Sequence, residues 1–307
     1  MLGVAMPAGF GATGSGSGAM ITRRGAGHRL RVAVALSSGG ARGFAHVGVL
    51  RALQRADVEI VHVAGSSIGA IMAAGYALRG DVDELERRVL DWRPRDHSRR
   101  GLLGLPIMES GRITSFFDAS AAGARFSDCA VSLSVVATDL RRREPATLTA
   151  GPLALAVYAS MAMPYLHRPV AWDHRLLAEG ALSCVLPLAQ ARHAPHETTE
   201  PVDLVIGSMV ANEARRLQVM MTGLAHSVGR AAPGWQRHYA AYFRGRPLMT
   251  TLIDHSTLPA PPPTIIVTPE VGGVGPLDFR KGPGIIAAGE RAATAALDEL
   301  RDSLGLG

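Results

Sequence analysis

Gly65-Ser66-Ser67-Ile68-Gly69 is a run in which a serine can act as a nucleophile. An apolar, β-like run over residues 59–64 precedes it, and a helix-like run from Ile68 to Leu78 follows. Strand, tight turn and helix in that order lift a serine hydroxyl clear of the backbone, and small residues on either side let the two arms of the turn pass closely. The N-terminus of the following helix aims its open N–H groups at the same spot, where an anion is stabilised. A G-x-S-x-G string arises readily by chance in a chain with 35 glycines, so the flanking strand and helix carry this reading, not the string itself.

A second constellation lies just upstream. Residues 31–36 read as a buried strand, and Ser38-Gly39-Gly40-Ala41-Arg42-Gly43 follows it. A helix-like run then begins near Phe44, with Val47, Leu50 and Leu53 spaced for one buried face. Glycines here let successive N–H groups converge on a small anionic target, either a phosphate or the oxyanion of a tetrahedral intermediate. Dinucleotide binding competes weakly. It needs glycine at position 38, where this chain has serine, and an acidic residue at a strand end, whereas Glu59 sits at the start of its strand. An oxyanion loop serving a serine on the next strand is the better account.

These motifs, in this order and so close together, resemble those of the patatin-like phospholipase family. Its glycine-rich loop (G-G-G-x-R/K-G) is matched by Ser38 to Gly43 and its G-x-S-x-G serine by Ser67. Its A-S-x-A-x-P segment is matched by Ala159-Ser160-Met161-Ala162-Met163-Pro164. The resemblance runs from about Arg31 to about Leu300. It implies a patatin-like three-layer α/β/α sandwich with a mainly parallel central sheet, and a serine acyl hydrolase that cleaves lipid carboxylic esters without a cofactor or metal. By the same resemblance Ser67 and an acid form the catalytic pair. Gly39, Gly40, Ala41, Arg42 and Gly43 form the oxyanion loop, with Gly39, Gly40 and Ala41 as its donors, and Gly65, Ser66, Ile68 and Gly69 complete the elbow.

One departure stands out. Where the family has the aspartate of D-G-G/A, this chain has Glu179 in Ala178-Glu179-Gly180-Ala181. Glutamate has the same chemistry, but its extra methylene moves the carboxylate by about an ångström, a displacement that can cost ~100-fold in rate. Two readings follow: a working Ser67–Glu179 dyad, or a lipid-binding homologue with weak or no catalysis. A Ser, acid, His triad is a third arrangement, for which His226, His238 and His255 follow Glu179 in the chain. His46 and His62, near the motifs, lack the spacing of a ligand pair and read as structural. Asp139 reads as a loop brace, and neither it nor Asp173 fits the motif position.

The elements needed to position these groups are legible in outline. Strands alternating with helices imply a largely parallel sheet covered on both faces. Asp81 reads as the N-cap of a helix with Leu85, Val89 and Leu90 on one face. Ala130 to Ala137, Val202 to Ile206 and Thr264 to Val267 read as strands; Pro152 to Ser160 and about Gly284 to Leu300 read as helices. Residues 211–253, rich in Met and aromatics, read as core helices, with a lipid-contacting lid as the minority alternative.

Residues 1–28 read as a flexible Gly/Ala/Ser-rich tail and 29–307 as one domain. Two cysteines, Cys129 and Cys184, imply no disulfide framework and suit a cytoplasmic location. No segment reads as a membrane span. The net charge of +6 favours anionic surfaces and so peripheral membrane contact, and the family resemblance implies a phospholipid or other lipid ester as the substrate partner. Aromatics make up only 5% of the chain, too few to interleave with the basic clusters as nucleic-acid binding requires.

Overall fold

The structure is a computed structural model, and it describes residues 29–92, 98–100, 106–108, 123–193, 201–210, 234–244 and 262–303. The N-terminal tail and most of residues 211–253 therefore lie outside the described residues, and with them the lid reading.

The first strand, β1 (Arg31–Leu36), alternates Val32, Val34 and Leu36 toward one face of the sheet with Ala33 and Ala35 toward the other. That period of two is what a strand buried on both sides requires. A 3-10 turn over Gly40–Phe44 leads into α1 (Ala45–Arg55), which returns the chain to β2 (Glu59–Ser66), parallel to β1. Next come α2 (Ile68–Ala77) and α3 (Val82–Asp91). The Asp81 carboxylate accepts the N–H groups of Asp83 and Glu84, so the cap expected from sequence is formed. A separate two-stranded ladder, β3 (Ser98–Arg100) with β4 (Pro106–Met108), precedes β5 (Ser132–Asp139).

After β5 come β6 (Glu144–Leu148), α4 (Leu153–Met161), β7 (Val170–Trp172) and β8 (Arg175–Ala178). The chain continues through α5 (Leu188–Arg192), β9 (Leu204–Ser208), α6 (Gln236–Phe243), β10 (Thr264–Val267) and α7 (Gly282–Ser303). The main sheet runs β10-β9-β1-β2-β5-β8-β7, with β6 also on β5. Strands β10, β9, β1, β2 and β5 are mutually parallel, while β6, β7 and β8 are antiparallel additions. Helices α1, α2, α3, α4 and α7 bury their apolar faces on one side of the sheet, and α5 covers part of the other. The sheet is thus the mixed, mainly parallel one expected, sandwiched by helices.

Two features of this topology create a site. The chain leaves β1 toward β2 on one side and returns to its other side as β9. Loops beyond the carboxyl ends of strands diverge at such a switch point and leave a crevice. The second feature is a shared edge. β2 pairs with β5 from His62↔Ser132 to Ser66↔Val136, and β6 occupies the opposite edge over Val135 to Asp139. β8 pairs with Thr138 and Asp139, residues that β6 already flanks, so β8 lies on the β2 edge and runs toward the end of β2.

Candidate active site

The turn after β2 is strained where a nucleophile would sit. Ser67 has φ 56° and ψ −124°, a conformation that L-residues avoid and that persists only where the surroundings impose it. Gly65 and Gly69 make the turn possible. A Cβ on Gly65 would overlap the Gly69 carbonyl, and one on Gly69 would overlap the carbonyls of Leu36 and Ser37. The Ser67 N–H donates to Ser160 Oγ at 2.8 Å, and Ser160 Oγ in turn donates to the Val136 carbonyl at 2.6 Å. Ser160 is fully buried on α4 and so ties the elbow to β5. The sequence offered Ser160 only as part of a motif and no role for it. A polar side chain in an otherwise apolar helical run was the signal.

The glycine-rich loop lies beside the elbow because Leu36 pairs with Gly65 at the ends of β1 and β2. Positive φ begins at Gly39 and Gly40, and Ser38 does not share it, so serine at that position is unstrained. Gly40 has φ 60°, and a Cβ there would strike the Pro276 carbonyl. The loop is held from outside by two bonds to one distant segment. Ala41 N–H donates to the Pro276 carbonyl at 2.8 Å, and Arg42 Nε donates to the Val274 carbonyl at 2.7 Å. The Ala41 amide is therefore engaged and differs in this from its expected place among the oxyanion donors. The N–H groups of Gly39 and Gly40 have no acceptor among the described residues, and both residues are half-exposed. Gly43 lies against the Ile68 side chain, where a Cβ would overlap it. The buried Arg42 acts as a brace for the loop.

Glu179 leaves β8 on the edge of β5 that β2 has just vacated. Its N–H donates to the Ala162 carbonyl at 3.0 Å, and its carbonyl accepts the Thr138 hydroxyl at 2.8 Å. Carboxylate Oε1 accepts the Ala181 N–H at 3.4 Å, while Oε2 is buried without a partner in hydrogen-bond geometry. Burial pushes the Glu179 carboxyl up to about 7, and the adjacent Ser67 hydroxyl and the Ala181 N–H hold it from rising further. The Ser67 hydroxyl and the Glu179 carboxyl are thus neighbours, though no well-aligned bond joins Oε2 to anything. Ser66, beside Ser67, turns away and donates to the Cys184 carbonyl at 2.7 Å.

Other candidate groups are occupied elsewhere. His46 is buried between Ser208 Oγ (2.8 Å) and the Ser37 carbonyl (2.9 Å), and burial lowers it to about 4. His62 meets Ser132 Oγ at 2.9 Å and is likewise lowered to about 4 by burial. Both rings are neutral at ordinary pH and far better suited to bracing strands than to proton transfer. Asp139 accepts the N–H groups of Arg141 and Arg142, bracing the turn into β6, and Asp173 lies exposed beyond β7. His226 and His255 lie outside the described residues. No cluster of His, Cys, Asp or Glu that could hold a metal occurs among the described residues.

A strained serine, a glycine loop with open amides and a buried carboxyl at the ends of three strands are consistent with the comparison to known families. The family model described as patatin-like phospholipase matches residues 34–192. The chain belongs to the patatin-like phospholipase family. The match begins within β1, includes the elbow and Glu179 and ends with α5, whereas β9, α6, β10 and α7 lie beyond it. An NTE family protein of Mycobacterium tuberculosis is 36% identical over 179 residues, covering 57% of this chain and 49% of that protein. A second NTE family protein, from Mycobacterium bovis, is 28% identical over 305 residues, 95% of this chain and 50% of its own length. Patatin-like phospholipase domain-containing protein 6 of Homo sapiens is 29% identical over 184 residues, 56% of this chain and 13% of that protein. This chain spans about half the length of the mycobacterial relatives that it matches. No helix among the described residues is long and apolar enough to cross a membrane.

Proposed function

We propose that this chain is a serine acyl hydrolase acting on carboxylic esters of lipids, with Ser67 as nucleophile and Glu179 as general base. The observation that carries this reading is the shared edge of β5, where β2 and β8 bring the Ser67 hydroxyl beside the Glu179 carboxyl. Glu179 removes the hydroxyl proton as Ser67 Oγ attacks the ester carbonyl. The charge that develops on the carbonyl oxygen is received by the open N–H groups of Gly39 and Gly40, a kind of contact in which each donor is worth about a hundredfold or more in rate. The alcohol or lysolipid departs with the proton from Glu179. Water then attacks the acyl-enzyme with Glu179 again as base, the acyl–Oγ bond breaks to release the carboxylic acid, and Glu179 returns the proton to Ser67 Oγ. A carboxyl near 7 suits both halves, since half-ionisation near neutral pH balances base strength against availability.

The unpartnered Oε2 supports a second reading, in which the dyad is misaligned and the chain binds lipid esters with little turnover. Fluorophosphonate labelling followed by mass spectrometry separates the two. The hydrolase predicts covalent modification of Ser67 in the native protein and none in Ser67→Ala. Folded wild-type protein that stays unmodified would overturn the hydrolase reading in favour of the binding one.

A further inference from the structure

Helix α6 lies outside the family-matched residues, yet it grips the backbone on both sides of Glu179. The hydroxyl of the fully buried Tyr239 sits 3.1 Å from the carbonyls of both Ala162 and His167. The same Ala162 carbonyl accepts the Glu179 N–H at 3.0 Å. On the other side, the Tyr242 hydroxyl donates to the Leu182 carbonyl at 3.0 Å, and the Leu182 N–H returns to the Glu179 carbonyl at 3.2 Å. The helix itself is fixed by Arg143, whose guanidinium donates to the Ala241 carbonyl at 2.8 Å, where a cation also meets the negative end of the helix. Around these bonds Tyr239, Tyr242 and Phe243 pack with Leu140, Ala178 and Leu182, so the strand end carrying Glu179 has α6 as its wall.

We propose that Tyr239 and Tyr242 are positioning residues that set where the Glu179 carboxylate ends, an inference that rests on Glu179 serving as the base for Ser67. The rings alone satisfy the packing: Tyr239 meets Tyr165 and Trp235, and Tyr242 meets Phe243 edge-on. Phenylalanine would fill the same space. What only the hydroxyls supply is a fixed register between α6 and the two carbonyls that flank Glu179. A glutamate needs such control more than an aspartate does, because its additional torsion spreads the carboxylate over a larger volume. Burial, with the Tyr158, Glu179 and Tyr165 charges behind it, pushes the Tyr239 hydroxyl up, so it stays protonated and remains a donor.

The test is the rate constant of fluorophosphonate labelling from about pH 5 to about pH 9, spanning the proton loss of the base. Wild type, Tyr239→Phe, Tyr242→Phe and Leu297→Ala are compared, each with its melting temperature. Leu297 is a buried residue of α7 and provides a loss of stability away from the site. Each tyrosine variant is expected to lose about 10- to 100-fold in the high-pH rate constant, the scale of a sub-ångström to one-ångström misplacement, and to shift the pH midpoint. Leu297→Ala is expected to lower the melting temperature with its labelling rate and midpoint kept. A fall in the tyrosine variants no larger than in Leu297→Ala, with the midpoint unmoved, overturns the proposal. If Tyr239→Phe does not fold, Tyr242→Phe decides by the same criteria. Wild type that is folded but unlabelled would instead overturn the hydrolase reading, and this inference with it.

Discussion

Ser66 and Ala178 end their strands on one edge of β5, opposite Val136 and Thr138, so that β2 and β8 approach each other end to end. Ser67 and Glu179 are the next residues of the two chains, and they inherit that juxtaposition. A parallel strand and an antiparallel one on the same edge are what bring together two side chains so distant in sequence. The sheet, more than any local motif, builds the pair.

The first prediction concerns the pH dependence of activity. As the proposed base, Glu179 must be ionised to accept the Ser67 proton, and burial holds its carboxyl at about 7. The labelling rate should rise about tenfold per pH unit below that value and level off above it. Glu179→Gln should abolish the limb and lower the plateau by about 100-fold or more. Glu179→Asp should also lose about tenfold or more, because the surrounding backbone is set for the longer side chain. A gain of activity in Glu179→Asp would show that the glutamate weakens the site.

The same carboxyl makes a separate prediction for stability. Its folded value of about 7 lies above the ordinary glutamate value of 4.5, so the folded chain keeps the proton longer than the unfolded chain does. Stability from this group is fully present below that lower value and is lost as pH rises through the upper one. The loss amounts to about 3 kcal/mol at most. Glutamine has no proton to release. Urea unfolding should therefore show Glu179→Gln gaining on wild type between about pH 4 and about pH 8, with the gain confined to that window. Parallel stability curves for the two proteins would refute the assignment.

Legibility from sequence divides along physical lines. The elbow was readable because its constraints are local: Gly65 and Gly69 must approach each other, and both flanking elements are strongly apolar. The cap at Asp81 and the parallel core strands were readable for the same reason. Strands β6, β7 and β8 were not, since short antiparallel additions at a sheet edge carry little periodicity. The placement of Glu179 depends on β8 and came only through the family resemblance. The engaged Ala41 amide was hidden because its acceptor, Pro276, is remote in the chain and nothing in either segment marks the pairing.

Ser160 offers a test of the elbow itself. Its hydroxyl is the acceptor for the Ser67 N–H and the donor to Val136, and it has no exposure to water. Ser160→Ala leaves a buried N–H and a buried carbonyl unpaired, at a cost of about 1–3 kcal/mol each before relaxation. Part of that cost falls on the strained turn, so labelling of Ser67 should drop more than global stability accounts for. Thermal melts and labelling rates measured on the same preparations separate the two effects.

The glycine loop is held by a brace that can be cut without touching an amide. Arg42 donates Nε to the Val274 carbonyl from a buried position. Lysine keeps the charge but lacks both Nε and the planar fork. Arg42→Lys should therefore slow acylation about tenfold or more by loosening Gly39 and Gly40, while the pH midpoint set by Glu179 stays in place. A midpoint that moves would mean that Arg42 acts on the carboxyl and not on the loop.

Histidine substitution distinguishes a two-residue site from a three-residue one. His46 holds Ser37 and Ser208 together and is neutral at working pH, so His46→Ala should cost stability by about 1–3 kcal/mol through the groups it leaves unpaired. His238 lies on α6 and makes no side-chain hydrogen bond to Ser67 or Glu179. With Glu179 as the direct base, labelling of Ser67 in His238→Ala, His226→Ala and His255→Ala should each stay within about threefold of wild type, well short of the roughly hundredfold or greater loss that removing a general base brings. A loss in any one of them as deep as that of Glu179→Gln would place an imidazole between the carboxyl and the serine. Glu179 would then orient that imidazole, and the limb near pH 7 would belong to the histidine.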